Sequence, residues 1–258
     1  MRISYISFAF VITLGILTSC DHPSETDAGP VIAPQLTRET IAAADELFGK
    51  RGDPENLRKS IELLAQLRNP DNRVYEVEWK FAKYSCFLGR TTANAEEKEQ
   101  LFENGEKAAQ IAIRLKPDRP EGHFWYGANL GEASKLNPIT VGLRSLDKIR
   151  DAMNEVIRID PGYQGASAYD VLAQIELGTG LAGGKAEKAV EYLEHALTIE
   201  KSNSNLRLNL AKAYLALKQR PKARNQLTIL INMDPHPEFL SEHAAAVAEA
   251  KDLLDRRF

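Results

Sequence analysis

Residues 203–217 carry apolar side chains on two sides of a helix. Leu206, Leu210, Ala213, Tyr214 and Leu217 make one stripe, and Leu208, Ala211 and Leu215 a second. A helix apolar on two sides needs neighbours on two sides, and stacked helical hairpins supply them. Residues 185–199 show the simpler case. Ala186, Ala189, Val190, Leu193, Ala196 and Leu197 follow the i, i+3, i+4, i+7 series of one buried face, with Glu187, Lys188, Glu191 and Glu194 opposite. No segment sustains the two-residue alternation of a half-buried strand, so the chain reads as all-α.

Prolines punctuate this pattern. Pro70, Pro117, Pro161 and Pro235 each follow an apolar helical run and stop it, while Lys201-Ser202-Asn203 marks the remaining boundary. The intervals are 47, 44, about 40 and 34 residues, and the last is the length of a tetratricopeptide repeat. The final unit resembles that family residue by residue. Leu210 and Ala211 match its Leu-Gly/Ala pair, Tyr214 its tyrosine, Ala223 and Leu227 its second helix and Pro235 its terminal proline. Ala189, Leu193 and Ala196 repeat the second-helix spacing, as do Gly105, Ala109, Ala112 and Pro117; residues 40–67 fit more loosely. The resemblance implies a right-handed solenoid of irregular hairpins: about five helical pairs, with the longer intervals as insertions, and a capping helix near 238–257.

The N-terminus carries an address. Arg2 precedes an apolar run over 3–17 that closes in Leu17-Thr18-Ser19-Cys20. This order resembles a lipoprotein signal peptide and its lipobox, and the run is too short and too interrupted to span a bilayer as a helix. The expected organisation is a signal peptide over 1–19, a lipidated Cys20 with a polar, proline-bearing tether over 20–36, and a repeat domain over 37–258. Acyl chains such as palmitate would hold Cys20 at the periplasmic face of a bacterial membrane, inner or outer. With Cys20 taken by lipid, Cys86 has no disulfide partner within the chain, and its apolar surroundings read as a buried thiol. The net charge of −3, or −4 without Arg2, recommends no nucleic acid as partner.

Two stretches narrow the resemblance. Phe124-Trp125-Tyr126-Gly127-Ala128-Asn129-Leu130-Gly131 is followed by Gly142-Leu143 and a helical run ending Asp160-Pro161-Gly162-Tyr163. Leu181-Ala182-Gly183-Gly184-Lys185 then introduces a regular repeat. Over about 40–235 this order resembles the T-component (TatT) lipoproteins of TRAP transporters. The resemblance implies an accessory periplasmic protein that engages a substrate-binding protein, an organic ligand, or both. Regulators of microtubule dynamics share similar helical repeats, but a bacterial lipobox argues against that assignment. The alternative within the same fold is a scaffold for envelope or secretion-complex assembly; self-association is left open.

Nothing points to catalysis or to a cofactor. Gly178-Thr179-Gly180-Leu181-Ala182-Gly183 matches G-x-G-x-x-G, but it follows the helical run 168–177 rather than a strand, and Gly184 stands where a P-loop needs lysine. His22, His123, His195, His236 and His243 include no i, i+4 pair for zinc, and no acidic pair stands out in an apolar setting. The candidates are for binding. If the first helix of each pair lines the concave face, Asp170 and Gln174 face the groove in one repeat, and Leu208, Lys212 and Leu215 in the next. Trp125 and Asn129 do so in a third, with packed core as the competing role for Trp125. Asn129, on a small and apolar helix, needs a polar partner wherever it is buried.

Overall fold

Eleven helices are found among the residues described by the computed structural model, which are 34–136, 142–180 and 183–258. The expected signal peptide, Cys20 and most of the expected tether lie outside them. The helices are α1 (Pro34–Gly49), α2 (Pro54–Gln66), α3 (Tyr75–Thr91), α4 (Ala95–Leu115), α5 (Pro120–Leu136), α6 (Leu143–Ile159), α7 (Tyr163–Gly178), α8 (Ala186–Ile199), α9 (Ser204–Ala216), α10 (Arg220–Asn232) and α11 (Leu240–Arg257). Each odd-numbered helix up to α9 packs on the even one that follows, and α11 closes the stack on α9 and α10. This is the five pairs and cap read from the pattern. Helix α1 starts at Pro34, slightly inside the stretch assigned to the tether.

Local chemistry sets the ends. Asp53, Asn94 and Asn203 are N-caps whose side chains accept from Glu55 N, Glu97 N and Asn205 N at 2.9, 2.9 and 3.0 Å. Lys116, Asp160 and Met233 end α4, α6 and α10 just before the punctuating prolines or within two residues of them. The unequal repeat lengths come largely from helix length rather than inserted loops. Helices α3 and α4 have 17 and 21 residues, whereas α9 and α10 have 13 each.

Small residues let the even helices approach their neighbours. Ala108, Ala109, Ala112, Ala189, Ala196 and Ala223 are fully buried, with Leu193, Leu206 and Leu227 between them. Cys86 is buried as expected, and desolvation pushes its thiol up to about 11. Polar ties join the first helices. Glu78, fully buried, accepts from Arg68 Nε at 2.9 Å and Arg73 Nη1 at 2.8 Å. Asp45 accepts from Lys80 Nζ at 2.5 Å and from the Tyr84 hydroxyl. The turn after α1 also reaches the capping helix, where Arg51 Nη2 donates to both Glu242 carboxylate oxygens at 3.4 and 3.3 Å.

Gly105 shows how tight the α4–α5 contact is. A β-carbon there would sit 2.6 Å from Asn129 Cγ, whereas one on Gly52 would meet nothing within 4 Å. Gly105→Ala is expected to lower stability by about 1–3 kcal/mol through overpacking, despite alanine's better helix propensity. Gly52→Ala is expected to cost little, and urea denaturation of the two variants checks the contrast.

Candidate functional site

Helices α3, α5, α7 and α9 turn a third face toward a common groove. In α7 this face is Ser167, Asp170, Val171 and Gln174; in α9 it is Ser204, Asn205, Leu208, Asn209 and Lys212. Glu242, His243 and Glu249 of α11 complete one wall, and Phe87, Arg90, Trp125, Glu132 and Lys135 of α3 and α5 the other. The three- and four-residue steps along each helix are why one side of it meets the groove. The groove has a volume of 310 Å³.

Its charges are held in sets. Asp170 lies at the centre, 7% exposed, and accepts from Asn209 Nδ2 at 2.7 Å and Gln174 Nε2 at 2.8 Å. Burial pushes its carboxyl above the usual range, and the two donors oppose that shift. Glu132 accepts from Arg90 Nε at 2.9 Å and Lys135 Nζ at 3.0 Å, and Lys212 pairs with Glu249 at 2.8 Å. Ser204 Oγ and His243 Nδ1 are 2.7 Å apart, joining α9 to α11.

One wall includes an unusual backbone. Gln164, Gly165 and Ala166 are all left-handed, with φ of 51, 63 and 59°. Only glycine adopts this region without cost. Asn203 Nδ2 donates to Gly165 O at 2.7 Å, bracing the turn from the adjoining repeat. A second cavity of 570 Å³ adjoins the groove between α5, α6 and α7. Gly127, Leu146, Ile149 and Ile175 make it mainly apolar, and it shares Arg90, Glu132, Lys135, Val171 and Gln174 with the groove.

The expected residues divide. Asp170, Gln174, Leu208 and Lys212 come together on the groove. Leu215 instead lies beyond its far end, beside Leu253. Trp125 is core with one edge on the groove: it is 2% exposed, and its indole N–H donates to the Tyr163 hydroxyl at 3.2 Å. Asn129 corrects the sequence assignment. It is fully buried against α3 and α4 and donates to Ala82 O at 3.1 Å and Trp125 O at 2.7 Å. Backbone takes the donors of its side-chain amide, so its polarity marks a contact with α3 and not with the groove. Asn209, Glu242 and His243 were missed because single polar residues on a helix carry no signal until the neighbouring helix is placed.

Ser204 is 6% exposed, and its bond to His243 is an interhelical tie. No group of three or more His, Cys, Asp or Glu residues able to hold a metal occurs among the described residues. The G-x-G-x-x-G stretch follows α7, and its described glycines include Gly183 at φ 98°, with Gly184 N donating to Thr179 O at 3.0 Å. Gly178 is the last residue of α7, so no strand precedes the stretch.

Asn209→Ala removes one donor from the buried Asp170 carboxylate. The expected cost is about 1–3 kcal/mol at pH 7. Because burial already raises the folded pKa above the unfolded value, stability falls as pH rises through that window, and more so without Asn209. The deficit should therefore shrink as pH is lowered through the folded pKa toward the ordinary aspartate value of about 3.9, which chemical denaturation across that range measures.

Comparison with known proteins agrees with this architecture. The family model for regulator of microtubule dynamics protein 1-3 matches residues 40–169, and a tetratricopeptide-repeat model matches 180–249. Regulator of microtubule dynamics protein 3 of Bos taurus is 20% identical over 247 residues, covering 90% of this chain and 51% of its own length. The Rattus norvegicus protein of the same name is 21% identical over 121 residues, covering 47% of this chain and 25% of its own. The chain thus spans about half the length, or less, of these curated relatives. Among solved structures, a thermophilic TPR protein of Thermus thermophilus superposes with a TM-score of 0.61 at 16% identity, covering 84% of this chain and 99% of that one. Pseudomonas aeruginosa pilF gives 0.53 at 16% identity, with 87% and 94% covered. These likenesses establish a tetratricopeptide-like helical repeat protein, the kind of scaffold that binds other proteins.

Proposed function

The chain belongs to the family of regulator of microtubule dynamics protein 1-3, and we propose that it works as a partner-binding helical scaffold held at the periplasmic face of a bacterial membrane by lipid on Cys20. Membership overturns the inference from the lipobox against these regulators. A lipobox concerns residues 17–20 and the route of export, whereas the match concerns the repeats. The microtubule role in the relatives' names belongs to those longer proteins.

The observation that carries the scaffold reading is the groove. Four odd-numbered helices and the cap aim polar side chains into one concave strip. Many of those side chains are already paired with one another, so the surface can exchange hydrogen bonds with a partner at modest desolvation cost. The partner we assign is a periplasmic substrate-binding protein of TRAP-type uptake, on the strength of the TatT-like order of motifs. The adjoining apolar cavity, with Arg90, Glu132 and Lys135 at its shared edge, suits an organic ligand with an apolar body and a polar end.

Two measurements test this. Full-length protein expressed in a bacterium should incorporate labelled palmitate and sediment with membranes, and Cys20→Ala should abolish both. Affinity purification of the lipidated chain should then bring down a substrate-binding protein, and Lys212→Glu should weaken that capture at least about fivefold by repelling or unpairing groove charges. Repeated absence of any such protein or bound ligand sinks the uptake role. Envelope defects on depletion, with uptake unchanged, would move the function to envelope or secretion-complex assembly.

A further inference from the structure

Between Lys201 and Met233 the sequence holds seven Lys and Arg residues and no Asp or Glu, in a chain whose net charge is −3. Positive charge is therefore concentrated on the α9–α10 pair. Four of the cations near this pair gather at the end of the stack. Lys218, Arg220 and Arg257 line an opening of 480 Å³ between the α9–α10 turn and the last turn of α11. Arg220 and Arg224 flank the Phe258 ring, with guanidinium carbons 5.3 and 5.9 Å from its centroid. All four cations are exposed, and none forms an ion pair with a described residue. The nearest acids of α11 are engaged or turned away. Glu249 pairs with Lys212 and Asp252 with Arg256, each at 2.8 Å, while Asp255 lies about 200° around the helix from Arg257. Lys218 and Arg220 also sit at the start of α10, where the helix dipole favours acids. These charges therefore do not serve the stability of the fold.

We propose that this end of the stack docks on the anionic phospholipid face of a bilayer, as a second contact beside the lipid on Cys20. The inference rests on the membrane placement proposed above. Headgroup phosphates accept from Lys218, Arg220, Arg224 and Arg257, and each cation within a Debye length of the surface adds to the attraction. Phe258, 40% exposed among these cations, enters the headgroup layer, where an aromatic ring is well placed. The contrast with the groove favours a lipid surface over an acidic protein. In the groove Arg90, Lys135 and Lys212 are held by carboxylates in fixed geometry. The four cations at the end of the stack stay hydrated and can follow mobile headgroups, whereas an acidic protein face requires charges matched in position. Lys212 lines both this opening and the groove, so docking brings that end of the groove to the bilayer surface.

Vesicle co-sedimentation of the full chain carrying Cys20→Ala tests this apart from lipidation, whose failure palmitate labelling reports separately. Any contribution of the apolar run over 3–17 is common to every sample. The vesicles are phosphatidylcholine, alone or with about 30% phosphatidylglycerol. The chain should bind the phosphatidylglycerol vesicles at least about tenfold more tightly, and about 0.5 M NaCl should remove that preference. Lys218→Gln, Arg220→Gln, Arg224→Gln and Arg257→Gln together should weaken binding to those vesicles at least about tenfold. The control carries the same change at four exposed cations elsewhere, Arg114, Arg144, Lys148 and Lys185, and should lose less than about twofold. Circular dichroism confirms that both variants fold. Equal binding to the two vesicle types overturns the proposal, as does a loss in the control as large as in the end-of-stack variant. Release by millimolar inorganic phosphate at matched ionic strength overturns it in favour of a discrete phosphate site. An end-of-stack variant that keeps vesicle binding but no longer captures a substrate-binding protein overturns it in favour of an acidic protein partner.

Discussion

Helix α9 cannot be stable alone, because burying one of its apolar stripes leaves the other in water. Leu206, Leu210 and Ala213 are fully or almost fully buried on one side, and Leu208 and Ala211 on another. At about 25 cal/mol per Å² of apolar surface, neither stripe can be left uncovered in a molecule of marginal stability. The requirement for neighbours on two sides passes from repeat to repeat, and it makes the chain a stack rather than a bundle around one centre. It must also be ended at each terminus. Helix α11 ends it at one, with Ala246 and Ala250 buried against the last pair and the charged residues of its last turn exposed.

Stacking leaves each odd-numbered helix a third face, and that face becomes the groove. Its polarity follows from position. A concave strip between helices is narrow enough that side chains from adjoining repeats meet, so carboxylates and cations placed there find one another. Asp170 with Asn209, Glu132 with Arg90, and Lys212 with Glu249 each join residues from different helices. Such a surface is nearly neutral and already hydrogen-bonded. A partner bound there, as proposed, would be selected by shape and the pattern of donors and acceptors more than by net charge.

The repeat architecture was legible because periodicity and proline placement are local, and the helical boundaries fall where those signals lie. Burial of Ala109, Ala189, Leu193, Ala196 and Ala223 followed from the same spacing. What could not be read were facts that depend on a second helix. Asn129 and Trp125 sit four residues apart on α5, yet one faces α3 and α4 while the other reaches the groove edge. Residues four apart lie only about 40° from one another around a helix, so which of the two meets the groove is settled by the neighbouring helices rather than by spacing along α5. Glu78 is the same lesson in electrostatics. As a residue in the first turn of α3 it reads as a solvated charge, and only Arg68 and Arg73 arriving from the preceding turn make it a buried one.

The proposed address and the scaffold are written in different residues by different physics. A lipobox is read in an extended chain before folding, and a repeat is specified by which faces can be buried afterwards, so neither constrains the other. That is why an export signal could not decide between families that share a stack of helical pairs. The same separation bears on how partners are chosen. The repeat core tolerates substitution as long as size and spacing are kept, whereas the groove is composed of individual residues such as Gln174, Asn209 and Lys212 whose exchange disturbs the apolar core little. Two chains with one architecture can therefore hold different partners, and on the function proposed above the specificity of this one would reside in the polar third face of its odd-numbered helices and in the left-handed turn, braced by Asn203, that shapes its wall.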